Sequence, residues 1–362
     1  MTKAFTSPIF AGNNSTLTFT LNNAAGNPAQ NNLAFTLASA GRLNDAIEHY
    51  RLAIESNPSY AEAHNNLGRV LAEQGHLPKA IEQFQEALKI NPAYGEAHNN
   101  LGLVMASESR LDEAVDEYRR AIESDPKCSD AYNNLGVALA RQAKLDEAIV
   151  EFSKAVELDP AFANAEGNLG HALLSTDNVD EATPHLKKAL DLGPETAELQ
   201  QTLGTALAEK GKIEEAIPHF ERALQISPNM VEAHSYLGMA LVMKGQRAEG
   251  LAHWRQVLKK DPDHLRVLND TAWLLATSSD ATLRNGKEAI PLAEHAVQLT
   301  SAREPALLGT LAAAYAEAGE FDKAMEMEQR ATDLASQQGK ARLAATLGER
   351  MALFQAKQPI RQ

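Results

Sequence analysis

Two periods are superposed in the apolar positions of this chain. Locally they fall at helical spacing, and the whole arrangement returns every 34 residues. With Ala61 as position 1, repeats begin at Asn27, Ala61, Gly95, Ser129, Ala163, Ala197 and Val231, and tile without a gap to His264. Positions 7, 8 and 11 form one helical face; positions 17, 20, 21, 24, 27 and 28 form a second. Position 8 is small (Ala34, Gly68, Gly102, Gly136, Gly170, Gly204, Gly238), and positions 20 and 27 are mostly Ala. Position 24 is large: Tyr50, Phe84, Tyr118, Phe152, Leu186, Phe220, Trp254. Gly41, Gly75, Gly211 and Gly245 at position 15 end a first helix. Proline at position 32, from Pro58 to Pro262, ends a second. The pattern predicts antiparallel hairpins. Small residues let the two helices approach, the large residue fills the layer between them, and each hairpin needs a neighbour to cover its remaining apolar face.

The ends depart from this regularity. Leu265–Thr300 reads as an eighth repeat, with Ala289, Ala293 and Ala296 at positions 20, 24 and 27 once about five residues are inserted near Ser278–Asn285. A ninth begins at Pro305, with Glu328 where the large residue belongs. Residues 336–362 hold one more amphipathic helix, with Leu343, Leu347 and Phe354 on one face, which caps the last apolar surface. Residues 1–26 carry Lys3 as their single charge, and "STLTFTL" (Ser15–Leu21) alternates as a strand does. The expected organisation is an N-terminal extension (1–26, strand-like or disordered), seven in-register repeats (27–264), two degenerate repeats (265–335), and a capping helix with tail (336–362).

Leu-Gly at 7 and 8, Ala at 20, Phe or Tyr at 24, Ala at 27 and Pro at 32 resemble the tetratricopeptide repeat (TPR) family. The resemblance implies an all-α, right-handed TPR superhelical solenoid of about nine helical hairpins, with a C-terminal capping helix and a short strand-like N-terminal extension. "IFAGNNSTLTFTLNN" is similar to the opening strands of β-sandwich repeats in bacterial surface proteins.

Charge narrows the partners. A net charge of −14 opposes binding to a phosphate backbone and favours basic ligands. One cysteine, Cys128, allows no internal disulfide and no CxxC site, in keeping with a reducing cytoplasm, the expected location, with an extracellular or cell-surface one as the alternative. No apolar run is long enough to span a membrane. No nucleophile elbow, zinc-protease helix or phosphate loop occurs, so neither catalysis nor a cofactor is expected. Histidines recur at position 4 (His64, His98, His234) and position 23 (His49, His185, His219, His253). Equivalent positions in stacked hairpins lie on the order of 10 Å apart, too far for shared ligands about 2 Å from one ion. No metal site is expected.

Asparagine columns are the candidate binding residues. Position 6 is Asn32, Asn66, Asn100, Asn134 and Asn168; position 5 adds Asn31, Asn65, Asn99 and Asn133. The TPR resemblance places positions 2, 5, 6, 9, 12 and 13 on the inner, concave surface. An amide both donates and accepts, so such a column can grip the backbone of an extended peptide, as the similar ladders of protein N-acetylglucosamine transferases imply. Equally, it can hold neighbouring helices together. TPR clamps for chaperone tails carry Lys at position 2 and Arg at position 6. Here position 2 is Glu62, Glu96, Asp130, Asn164, Glu198 and Glu232, which argues against that ligand. The acids either select a basic ligand or serve the helix N-terminus. The expected function is a non-catalytic scaffold that binds an extended, basic peptide in the concave groove. The alternative is self-assembly into oligomers or filaments through end-to-end stacking and the N-terminal extension.

Overall fold

The computed structural model describes residues 28–362, and every regular element among them is an α-helix. The strand-like Ser15–Leu21, and with it the extension's part in self-assembly, lies outside the described residues. By contact the chain falls into two compact units, one ending at Glu195 and one spanning Thr196–Gln362.

The first unit stacks five hairpins: α1 (Pro28–Ser39) with α2 (Leu43–Ser56), α3 (Ala61–Glu73) with α4 (Leu77–Ile90), α5 (Gly95–Ser107) with α6 (Leu111–Ser124), α7 (Ser129–Arg141) with α8 (Leu145–Leu158), and α9 (Ala163–Ser175) with α10 (Val179–Leu192). Within each hairpin the apolar faces meet. Ala80, Phe84 and Ala87 are completely buried, as are Ala148, Phe152 and Ala155. Successive first helices (α1, α3, α5, α7, α9) also pack on one another, whereas second helices reach first helices alone. The first helices therefore form the inner side of the stack. The second unit contains α11 (Ala197–Glu209), α12 (Ile213–Ile226), α13 (Val231–Met243), α14 (Arg247–Lys260), α15 (Leu265–Thr277), α16 (Gly286–Leu299), α17 (Pro305–Glu317), α18 (Phe321–Gln337) and α19 (Ala341–Gln355).

Second helices end as proline requires. Asn91 leaves the helix with φ −130° and ψ 92°, and its side chain accepts from Ala93 N at 3.2 Å. Asn57, Asp125 and Asp159 accept from Ser59, Lys127 and Ala161 in the same way. First helices other than α15 end on a left-handed residue at position 15. Gly75 adopts φ 79°, as glycine does freely, but Ser109 (64°), Ala143 (62°) and Asp177 (60°) adopt the same turn with a Cβ attached. Gly75 has nothing near where a Cβ would stand, so the cost at these three lies in the backbone, not in a clash.

The ninth hairpin carries the least compatible core residue. Glu328 of α18 replaces the ring at position 24, is fully buried, and has neither carboxyl oxygen hydrogen-bonded among the described residues. Burial pushes its pKa up to about 8, with the Arg350 charge pulling weakly the other way. The folded state thus prefers a neutral carboxyl. This stabilising preference is complete below the ordinary carboxylate range and is lost as pH rises toward 8.

Two outcomes are expected. Ala143→Gly and Ser109→Gly should each stabilise by about 0.5–1 kcal/mol, since relief of about 1–2 kcal/mol of left-handed strain exceeds the entropy cost of glycine; urea midpoints that fall would overturn this. Glu328→Leu should stabilise by about 1–3 kcal/mol at neutral pH and flatten the loss of stability between pH 5 and 9. A variant with the native pH dependence would show that the buried carboxyl does not cause it.

Candidate functional site

The inner side of the first unit is built from helical spacing. In α3, Glu62, Asn65, Asn66 and Arg69 occupy positions 2, 5, 6 and 9, while Leu67, Gly68 and Leu71 face the partner helix. The face recurs in α5 and α7, so the asparagines fall into columns.

These columns are joined in one direction. Asn66 Nδ2 donates to Asn31 Oδ1 at 3.2 Å, Asn100 to Asn65 at 3.0 Å, Asn134 to Asn99 at 3.0 Å, and Asn168 to Asn133 at 2.9 Å. Each position-6 amide thus donates to the position-5 oxygen of the preceding repeat, which ties consecutive first helices together. The position-5 side chains are the deeper partners: Asn65 is fully buried and Asn133 nearly so. Asn66 and Asn100 retain a little exposure, Asn134 and Asn168 are half-buried, and Asn32, with no repeat before it among the described residues, is exposed. The ladder ends at α9 because position 5 there is Gly167, and Thr202 of α11 donates to its own helix at Glu198 O, 2.8 Å. A related rung appears in the second unit, where Thr310 Oγ1 donates to Asn269 Oδ1 at 2.7 Å.

Position 2 is drawn into the same lattice. Asn31 Nδ2 donates to Glu62 Oε1 at 3.1 Å, and the Tyr60 and Tyr94 hydroxyls lie 3.5 Å from Glu62 and Glu96. Burial, then the neighbouring acid, raises the pKa of both tyrosines, so they remain neutral donors. Sequence reasoning gave these tyrosines no role; their place at position 34, one step before the next helix, was the available signal. The inner side also carries cations: Arg69 lies 5.4 Å from the Phe35 ring centroid, and Arg141 Nη1 donates to Ala106 O at 2.7 Å. Glu62 and Glu96, at the starts of their helices, remain exposed.

In most hairpins a histidine at position 4 or 23 meets the residue at the other of these positions. His64 Nδ1 lies 2.9 Å from Gln83 Oε1, His98 2.6 Å from Glu117 Oε2, His185 2.5 Å from Glu166 Oε2, and His219 2.6 Å from Gln200 Oε1. Position 4 and position 23 are therefore one cross-helix pair. Burial opposes charge on His98, but the Glu117 hydrogen bond, the Pro92 carbonyl and the Glu117 charge together outweigh it and raise its pKa. At the seventh repeat two rings pair, His234 Nδ1 to His253 Nδ1 at 2.8 Å, and burial followed by the His234 charge lowers the pKa of His253. No group of three metal-ligating side chains assembles among the described residues, and none of their helices is long and apolar enough to cross a membrane.

Comparison with known proteins agrees with this geometry. A family model described as the cilia and flagella-associated protein 70 C-terminal domain matches residues 59–264, and a TPR repeat model matches residues 36–75. No curated protein sequence matches the chain significantly. Among solved structures, one described as Pseudomonas aeruginosa PilF has a TM-score of 0.55 at 20% identity, covering 58% of this chain and 95% of its own. The Cut9–Hcn1 hetero-tetramer of the APC/C has a TM-score of 0.54 at 18% identity, with 78% of this chain and 54% of that one covered. YrrB, described as a TPR protein with an unusual peptide-binding site, has a TM-score of 0.40 at 24% identity, covering 65% and 99%. The first two likenesses speak to the fold. Through the model that spans residues 59–264, more than half of its length, the chain belongs to the tetratricopeptide repeat family, in the form described for the C-terminal domain of cilia and flagella-associated protein 70.

Proposed function

We propose that the inner side of the first unit is a protein-interaction surface that holds an extended peptide segment by its backbone. One observation carries this reading. Every rung uses one N–H of a position-6 amide and leaves its own oxygen and second N–H without a partner among the described residues. Asn66, Asn100, Asn134 and Asn168 thus retain one acceptor and one donor each, at the spacing of successive repeats. A peptide can bond to them without breaking a rung. Asn65, Asn99 and Asn133 act in support: they fix the orientation of the amides in the next repeat, and Asn32 is the open end of the column. The preferred ligand is basic, because Glu62 and Glu96 are exposed on the same face and the chain carries a net charge of −14.

The test separates gripping from bracing. Asn100, Asn134 and Asn168 changed together to Ala remove three rungs; Asn65, Asn99 and Asn133 changed together to Ala remove the same three from the other side. Each set should cost stability, at about 1 kcal/mol per rung. Peptides selected on the native chain from a random displayed library should lose at least tenfold in affinity against the position-6 set and much less against the position-5 set. Equal losses would show that the amides brace the helices and do not touch the ligand.

A further inference from the structure

The repeat that breaks the 34-residue period holds a peptide already. Most hairpins connect their helices through three residues, such as 74–76, but α15 and α16 are joined by the longer loop 278–285. At the far end of the chain, Lys357 turns the backbone at φ 55°, and Gln358 N closes the turn on Leu353 O at 2.8 Å. Residues 358–362 then run back to α15. Gln362 N donates to Thr277 O at 2.7 Å, and Ser279 N donates to Gln362 O at 2.6 Å, so both backbone groups of one residue are paired, as in a strand. Trp273 Nε1 donates to the Gln362 side-chain oxygen at 3.1 Å. Arg361 Nη1 lies 2.6 Å from Glu317 Oε2, whose other oxygen is 3.2 Å from Arg284 Nε. Ile360 is buried in the cluster that includes Leu274, Ala313 and Phe354.

Each contact has a definite origin. Trp273 and Thr277 are positions 9 and 13 of α15, and Glu317 is position 13 of α17, on the side where these two first helices pack together. Ser279 belongs to the insertion. Arg284 from the same loop donates to Ser278 O at 3.0 Å and Ser279 O at 3.2 Å, which fixes the loop where its N–H meets the segment.

We propose that this groove is a peptide-binding site in its own right and that residues 359–362 are its ligand in cis. It recognises an apolar side chain in a buried socket, a guanidinium on Glu317 and a side-chain amide on Trp273, with the backbone paired to Thr277 and Ser279. A protein that presents an extended apolar-Arg-Gln segment displaces the tethered one, which makes the tail a built-in competitor. A short tether supplies an effective concentration of about 1 mM, so a site with free-peptide affinity on the order of tens of micromolar stays more than nine-tenths occupied. The site uses helices other than those of the asparagine ladder and does not rest on that reading.

The test uses the full chain and a labelled synthetic peptide, Lys-Gln-Pro-Ile-Arg-Gln, followed by fluorescence anisotropy. Ile360→Asp combined with Arg361→Ala frees the groove, and that variant should bind the peptide at least tenfold more tightly than the native chain does. Adding Glu317→Gln, or replacing Arg by Ala in the peptide, should reverse the gain. Released and native chains of equal affinity, or a scrambled peptide binding as well as the true one, would overturn the proposal. The native chain offers an independent check that requires no folded variant: the Ser279 amide should exchange with solvent at least about tenfold more slowly than an open loop amide. Exchange at the open rate would overturn the proposal as well.

Discussion

Six hairpins press the side chain at position 24 against a glycine Cα at position 8, the sixth being Trp254 against Gly238. A Cβ added at Gly68 would stand 2.7 Å from the Phe84 ring, at Gly102 2.7 Å from Tyr118, at Gly136 2.6 Å from Phe152, at Gly170 2.6 Å from Leu186, and at Gly204 2.7 Å from Phe220. No real Cβ sits so close, so the separation of the two helices is set from inside by the thickness of one side chain. The rest follows from that dimension. Hairpins of equal thickness stack with equal steps. Equal steps bring position 6 of one first helix to position 5 of the one before, within hydrogen-bonding distance four times running. The period fails where this contact fails. In the eighth and ninth repeats Ala293 and Glu328 stand at position 24, and there the insertion, the buried carboxyl and the docked tail are found.

The hairpins were legible because they rest on signals that survive averaging. Seven copies of one pattern fix the helices, their ends and their phase, and the insertion near Ser278–Asn285 was visible as a slip in that phase. What was not legible is whatever depends on a difference of one residue or on a single copy. Sequence placed Asn65 and Asn66 side by side; it could not say which amide would accept from the next repeat and which would donate to the one before. The offset was nevertheless written in the chain. Position 5 is Asn in four successive repeats and position 6 in five, as expected when each donor looks back to the repeat before. The histidines were read as two rows, although Gln and Glu stand opposite them at 4 and 23; antiparallel helices were needed to make each row the other's partner. Left-handed Ala143 carries no glycine to announce its turn, and the final residues have no periodicity at all.

Preorganisation decides what such a face can do. An amide free to rotate must be ordered when a ligand arrives, at a cost of about 0.5–1.5 kcal/mol per side chain. Here each position-6 amide is already held by its rung, so much of that ordering accompanies folding instead of binding. Charge acts on a different scale. The field of a chain with net charge −14 would draw basic ligands from a distance, whereas the proposed surface carries Glu62 and Glu96 near the starts of its helices and Arg69 and Arg141 further along, charges of both signs that would discriminate on contact. A uniformly acidic groove would attract more strongly and select less.

Helical backbone explains why the two proposed ways of holding a peptide differ. Inside a helix each N–H and C=O is consumed by its own ladder, so an inner side lined by helices offers a peptide no free main-chain partner. Such a surface can grip a backbone through side chains that carry both a donor and an acceptor, and asparagine is the shortest that does. The alternative is to interrupt the helix. Thr277 is the last residue of α15, so its carbonyl is released from the ladder, and Ser279 lies just beyond, where its N–H is free. Both groups pair with Gln362. The lengthened connection after α15 therefore supplies, beside the carbonyl that any helix end releases, a main-chain donor at position 15 that the regular repeats close on their own turn. That is a physical reason for one repeat to abandon the period the others keep.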